Sequence, residues 1–405
     1  MNARRETDFL RIRFLPHVGR IFPAHENQDV SRERLQSNEI HSTDRPLHLT
    51  LICANVCVRM KHSTTRLKDV ALALGVSIST VGRALADHPQ IGEITKARVR
   101  VAAGKLGYVA HSAARAMRRG HTNLIGLAVP DIQNEFYGAL AKGIAQRCGQ
   151  EGYQLLLAIT EDDPAIEERQ VRALAEAGAA GIVLVASPAP RRETHALLSR
   201  STWVQLIRRI DGVGAPWFGI DEAAALRVAA GHLIELGHHR IAYIGGTENL
   251  STGLQRLAGF RQAFADAGLP FPADIVRTGP PRPPFAAEAF DDVWAADRRP
   301  TALVTGGARL TAGALERIGA LGLRVPGQLS VVGYGDAPWW SAGLSSIALP
   351  TREVAMACAE HLLRRLTEDA GTSRLSGGAA YAATFVARAS TAPAPASVAR
   401  RAKRS

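Results

Sequence analysis

Ser77, Ile78, Ser79, Thr80 and Arg83 stand close together in the chain. Short hydroxyls give and take hydrogen bonds at base edges, and an isoleucine can lie against a thymine methyl. Arg83, about one helical turn further on, suits a phosphate or a guanine. This is the chemistry of a short helix that enters a DNA groove by its N-terminal end. Other sets carry less. No serine-centred nucleophile elbow, P-loop or dinucleotide fingerprint occurs, and Gly245-Gly246-Thr247 and Gly306-Gly307 are only short glycine turns. Cys53 and Cys57, near His41, His48 and His62, lack the spacing of common zinc fingers. His238-His239 reads as packing at a helix-to-strand turn, and Asp162-Asp163 as a solvated loop. The expectation is therefore no enzyme, no metal and no cofactor.

The elements that must hold the groove-reading residues are legible. Leu67, Val70, Ala71 and Leu74 have helical apolar spacing. Gly75 can take the left-handed turn that follows. Ser77 is a good N-cap for a second helix, Ile78 to Leu85, with Val81 and Leu85 facing inward. Two short helices joined by a tight turn make a helix-turn-helix. A third helix is expected over Glu93–Leu106, with Ile94, Val99, Val101 and Leu106 as its apolar residues and Gly107 as its stop.

Charge supports the same assignment. The 405 residues carry a net +12, of which residues 61–121 hold +8 and residues 388–405 hold +5, while residues 122–387 hold −3. A basic head before a nearly neutral body favours a polyanion as partner. Four scattered cysteines (Cys53, Cys57, Cys148, Cys358) suit a reducing compartment rather than a disulfide scaffold. The longest apolar runs, Leu47–Val58 and Ala177–Pro190, are too short for a membrane helix. Arg4, Arg5, Glu6 and Asp8 make a poor signal peptide.

From Asn123 onward, strand-like runs (124–129, 154–159, 181–185, 203–207, 241–244, 302–305, 329–332) alternate with helical stretches (136–150, 166–177, 223–236, 253–267, 308–321, 353–366). Such alternation implies parallel sheets with crossover helices. Ligands then bind at the carboxyl ends of the strands.

The head resembles that of the LacI/GalR family of bacterial transcription regulators. The matching text is Leu67-Lys68-Asp69-Val70-Ala71, then Gly75-Val76-Ser77-Ile78-Ser79-Thr80-Val81-Gly82-Arg83, then Leu106-Gly107-Tyr108. The resemblance covers roughly residues 65–391. It implies an α/β fold class: a small all-α helix-turn-helix domain, then two doubly wound parallel-sheet subdomains of the type I periplasmic-binding-protein kind. The expected divisions are 61–109 for the head, 110–121 for a hinge helix, and 122–391 for the effector-binding and dimerisation body. Within the body, 123–219 plus 351–380 would form one subdomain and 220–350 plus 381–391 the other, closed by a strand over 384–388. Residues 1–60 are expected to be disordered or to precede the true initiator Met60, and 392–405 to form a disordered basic tail. The resemblance further implies that the hinge folds on operator DNA, with Arg115 and Arg118 serving phosphates or the minor groove and Met117 acting as an apolar wedge. It implies a cytoplasmic homodimer on a palindromic operator.

The same resemblance implies a small-molecule effector held by Asn134, Phe136, Tyr137, Arg209 and Arg256. Departures from the family pattern sharpen the expectation. Gly82 stands where Ser is usual, and Ala110 where Pro is usual. Arg208 replaces an Asp, Gly307 and Ala308 replace Asn-Asp, Gly335 replaces an Asp, and Leu349 stands where a polar residue is common. Carboxylates for sugar hydroxyls are thus missing, while Arg208, Arg209 and Arg256 are expected to converge. Guanidinium groups pair bidentately with carboxylate or phosphate, so the effector is expected to be an anion, such as a sugar acid or phosphorylated metabolite, with an ordinary sugar as the alternative. The rival function is a solute-binding transport component built on the same body.

Overall fold

A computed structural model describes residues 65–108, 122–336, 343–367 and 377–395. The chain divides into two compact units, the first ending at Tyr108.

The first unit has three helices, α1 (Leu67–Leu74), α2 (Ile78–Leu85) and α3 (Glu93–Lys105). Gly75 closes α1 at φ 66°, the left-handed conformation that suits glycine. The Ser77 hydroxyl accepts from the Thr80 N–H and so caps α2. Val70, Ala71, Val81, Ala84, Val99 and Ala103 form the core. The inward face of α3 differs from the sequence expectation: Ile94 and Val101 are exposed, and Lys96, Val99 and Ala103 are buried. Lys96 buries its stem and sends its ammonium to Asp87 (3.1 Å) and Glu93 (2.7 Å). A lysine therefore holds a core position that apolar counting assigns to its neighbours.

The second unit has two six-stranded sheets. The first has the order β11-β5-β4-β3-β1-β2, built from β1 (Leu124–Val129), β2 (Gln154–Ile159), β3 (Gly181–Leu184), β4 (Thr202–Leu206), β5 (Trp217–Ile220) and β11 (Ala379–Tyr381). The second has the order β12-β10-β9-β8-β6-β7, built from β6 (Ile241–Gly246), β7 (Val276–Gly279), β8 (Ala302–Gly306), β9 (Ser330–Tyr334), β10 (Ser345–Ala348) and β12 (Thr384–Val386). The strand pairs are parallel except β10 with β12. Covering helices are α4 (Glu135–Gln150), α5 (Pro164–Glu176), α6 (Arg192–Leu198), α7 (Glu222–Glu235), α8 (Ser251–Asp266), α9 (Pro283–Trp294), α10 (Ala308–Ala320) and α11 (Thr351–Thr367). Parallel strands buried on both faces read as continuous apolar runs, which is why β1, β6 and β8 are nearly free of polar residues. The chain passes from one sheet to the other after β5, after β10 and after β11.

Several elements were hidden in the sequence. Pro283 and Pro284 look like breakers, yet they occupy the first turn of α9, where proline lacks no hydrogen bond. Ser345 and Ser346 look like loop, yet they are buried in β10, with hydroxyls bonded to the Arg388 carbonyl (3.1 Å) and the Asp336 carboxylate (2.8 Å). His238 is a packing residue: its Nδ1 meets the Thr301 hydroxyl at 2.8 Å and its Nε2 the Ala392 carbonyl at 2.9 Å. A carbonyl can only accept, so Nε2 carries the proton. No helix among the described residues is long and apolar enough to cross a membrane.

Helices α7 and α8 cross at Gly259, where an added Cβ would lie 2.1 Å from the Ala223 carbonyl oxygen. Backbone cannot yield as a side-chain tip can. Gly259→Ala is expected to destabilise the body by about 1–3 kcal/mol, read as a lower urea midpoint. An unchanged midpoint would show that the crossing is looser than described.

Candidate functional site

On α2, Ser77, Ile78, Ser79 and Arg83 are exposed and Thr80 is half-buried. Ile78 leaves more than half of its surface, 55 %, to solvent. An isoleucine so exposed at a helix start contributes nothing to the core and is free for contact. The hydroxyls of Ser77, Ser79 and Thr80 form a local network, with Ser77 Oγ 2.8 Å from both others. Gly82 has open space around its missing Cβ, so close packing does not require glycine there. The hinge residues Arg115, Met117 and Arg118 lie outside the described residues, as do Cys53 and Cys57.

In the second unit a cavity of about 500 Å³ lies between the two sheets, lined from both. That volume suits a sugar-sized ligand. Its walls are the loops after strand ends: 130–137 after β1, 161–162 after β2, 207–208 after β4, 281–284 after β7 and 307–309 after β8. A second cavity of about 490 Å³ adjoins it and shares Gln133, Asn134, Phe136, Ala308, Arg309 and Leu349.

The residues expected there divide. Asn134, Phe136, Tyr137, Arg208 and Arg256 all line the larger cavity. Asn134 caps α4 by accepting from the Phe136 N–H, which aims that helix start at the cavity. Phe136 and Tyr137 meet edge to face with centroids 5.3 Å apart. Tyr137 also belongs to the core, where burial pushes its hydroxyl pKa up. Arg209 is exposed and is absent from the cavity lining; its backbone N–H donates to Ser251 Oγ at 2.9 Å. The convergence of three arginines is therefore reduced to two. Leu349 fills the junction of both subdomain cores.

The two arginines of the floor are already matched. Arg256 donates Nε–H to Glu222 Oε2 (2.8 Å), Nη2–H to Glu222 Oε1 (2.6 Å) and to the Tyr334 hydroxyl (2.8 Å), and Nη1–H to the Gly306 carbonyl (2.9 Å). Its guanidinium also lies 4.0 Å from the Tyr334 ring centre. Burial opposes its charge, but the facing Glu222 more than offsets this, so the group is held above its ordinary pKa. Arg208 pairs with Asp162 through two nitrogens and donates to the Ala186 carbonyl at 2.8 Å. Asp162-Asp163 is thus not a solvated loop: Asp162 is the partner of Arg208, and Asp163 caps α5 through the Ala165 and Ile166 N–H groups. Asp162 and Glu222 therefore neutralise the two arginines. Neither had a local signal, because each meets its arginine only through the fold. A further buried acid, Glu167, accepts from the Ser187 N–H at 2.6 Å and so anchors the segment that carries Ala186. Burial pushes its carboxyl pKa up.

Backbone strain collects at the same wall. The described non-glycine residues with positive φ are Asp87, Glu161 (54°), Asp162 (60°) and Ile207 (62°), and the last three line the cavity. Ile207 is β-branched and sits in a tight turn closed by Arg208 N–H to the Leu206 carbonyl. Such strain persists only where the surroundings impose it, and it clusters at binding sites. Here it turns Asp162 and Arg208 into the cleft.

Fold and site together define a class: a helix-turn-helix unit joined to a two-sheet unit with a ligand-sized cleft at its strand ends. Residues 66–111 match the model of bacterial regulatory proteins of the lacI family, and residues 230–391 match a periplasmic binding protein-like domain. The HTH-type transcriptional repressor PurR of Aliivibrio fischeri is 31 % identical over 310 residues, covering 75 % of this chain and 92 % of that protein. The HTH-type transcriptional regulator GalR of Salmonella typhimurium is 30 % identical over 271 residues, covering 67 % and 79 %. The lac repressor dimer bound to operator and the anti-inducer ONPF superposes with a TM-score of 0.71 at 21 % identity, covering 81 % and 99 %. The chain belongs to the lacI family of bacterial regulatory proteins and is a DNA-binding transcriptional regulator.

Glu161 is exposed, and among the described residues its side chain has no ion pair or hydrogen bond. Left-handed backbone costs a non-glycine residue roughly 1–2 kcal/mol, against about 0.5–1 kcal/mol for the freedom glycine loses on folding. Glu161→Gly should therefore raise the unfolding free energy by up to about 1 kcal/mol in urea titration. A clear loss would contradict the strain assigned to this wall.

Proposed function

We propose that this chain is a repressor that reads a palindromic operator as a homodimer, and that a small effector in the cleft sets how tightly it grips. The observation that carries the DNA reading is the exposed start of α2, capped by its own Ser77 and set in the most basic part of the chain. Ser77, Ile78, Ser79 and Thr80 are the base readers, and Arg83 contacts a phosphate or a guanine. Residues 61–109 act as the head and 110–121 as the hinge, where Arg115 and Arg118 neutralise phosphates and Met117 wedges between base pairs.

The cleft is the effector site. Its walls come from both subdomains, so a bound molecule favours one angle between them, and that angle reaches the hinge. Such coupling is typically about 1–3 kcal/mol. Asn134, Phe136 and Tyr137 serve a sugar-sized ring. Arg208 and Arg256 shape the floor; with most of their N–H groups already bonded inside the protein, they are poorly placed to hold an anion alone. The transport alternative leaves the basic head without a role.

The purified protein should enrich inverted repeats from random duplex DNA at near-cellular ionic strength. Ser79→Ala should relax selection at one or two base pairs in each half-site, costing about 1–3 kcal/mol there. Arg83→Gln, if a phosphate contact, should instead weaken all sequences alike and reduce the salt dependence. Equal binding to every duplex would overturn the reading.

A further inference from the structure

Two arginines of the cleft are not spent as Arg208 and Arg256 are. Arg282, in the Gly279-Pro280-Pro281-Arg282-Pro283-Pro284 segment, lines the larger cavity, and among the described residues its guanidinium has no ion pair or hydrogen bond. Arg309, in the first turn of α10, lines both cavities. Its one ion pair among the described residues is a long one, 3.9 Å to Asp131, whose other oxygen accepts from the Gln133 N–H at 2.8 Å.

The fold brings the segments that carry these two arginines together. Gly313 lies four residues after Arg309, on the same face of α10. It admits Pro283 so closely that a Cβ there would lie 2.2 Å from the Pro283 carbonyl oxygen. Arg282 is the next residue. Apart from Asp131, no acid pairs with either arginine among the described residues. Helices α9 and α10 both begin in the cavity lining, and each has no side-chain cap and no acidic residue in its first turn. Ala308 stands where the family resemblance puts an Asp, so α10 presents its free N–H groups beside Arg309 without a carboxylate to occupy them. Beneath them, against Gly306, lies the Tyr243 hydroxyl, fully buried and without a hydrogen-bond partner among the described residues.

We propose that the effector is an anion, a sugar-sized molecule bearing a carboxylate or a phosphate, and that Arg282 and Arg309 hold its charged group. This rests on the cleft being the effector site. It moves anion recognition from the floor, where Arg208 and Arg256 are neutralised by Asp162 and Glu222, to the lip formed by the starts of α9 and α10. The sugar-sized remainder then faces Phe136 and Tyr137 on the opposite wall. Asp131 and Glu161 also stand on that wall, so a ligand carrying its charge at both ends is disfavoured.

The test is calorimetric titration of the full-length protein with five- and six-carbon sugars in three matched forms: the neutral aldose, its aldonic acid and its terminal phosphate. At least one charged form should bind about tenfold tighter than its neutral parent, and whether acid or phosphate does so fixes the group. Arg282→Gln and Arg309→Gln should each weaken that charged form about tenfold, with Arg282→Lys and Arg309→Lys recovering part of the loss. Neutral sugars binding as tightly as charged ones, charged forms indifferent to both Gln variants, or no charged form binding would each overturn the proposal. Operator selection by the same unmodified protein separates the two readings: a protein that selects an inverted repeat yet fails these titrations loses only its anionic effector.

Discussion

The buried pair of Arg256 and Glu222 is the interaction on which the cleft depends. Glu222 is 1 % exposed and Arg256 is largely enclosed. Removing two charges from water is expensive, and their attraction repays that only when the remaining hydrogen-bonding groups are also met. Here they are met by Tyr334 at the end of β9 and by the Gly306 carbonyl at the end of β8. One guanidinium thus ties the start of α7, the middle of α8 and two strand ends into a single floor. In the other subdomain, Arg208 ties the β2 and β3 ends together through Asp162 and Ala186. Both floors are thus bonded within the protein.

This arrangement separates two tasks that are easily confused in a sequence. An arginine at a family ligand position can hold a ligand or can hold the site. Arg256 does the second in this structure, and its replacement would leave Glu222 as an uncompensated buried charge. Arg282 stands in a proline-rich turn that matches no motif, and its guanidinium has no ion pair or hydrogen bond among the described residues.

Much of the fold was legible. The spacing of Leu67, Val70, Ala71 and Leu74, the left-handed Gly75 and the Ser77 cap are local features, and local physics sets them. The continuous apolar runs of β1, β6 and β8 announced parallel strands. What was not legible is set by distant parts of the chain. Lys96 takes a core position because Asp87 and Glu93 receive its ammonium. Ser345 and Ser346 lie in a strand because Arg388 and Asp336 satisfy their hydroxyls. Asp162 looked solvated because Arg208, its partner, is 46 residues away. Of the cleft residues named from the resemblance, Asn134, Phe136, Tyr137 and Arg256 lie in the cavity lining, whereas Arg209 lies outside it. A sequence shows which positions have changed but not which distant acids pair with the arginines, as Asp162 and Glu222 do.

The central claim is that the floor is held by a mutually dependent buried charge pair. A double-mutant cycle with Arg256→Met and Glu222→Leu, followed by urea unfolding of the full chain, tests it most directly. Either single change should cost about 3–5 kcal/mol by leaving one charge buried alone, and the double variant should recover much of that loss. Single changes of less than 1 kcal/mol, or a double variant whose loss equals the sum of the two, would contradict it.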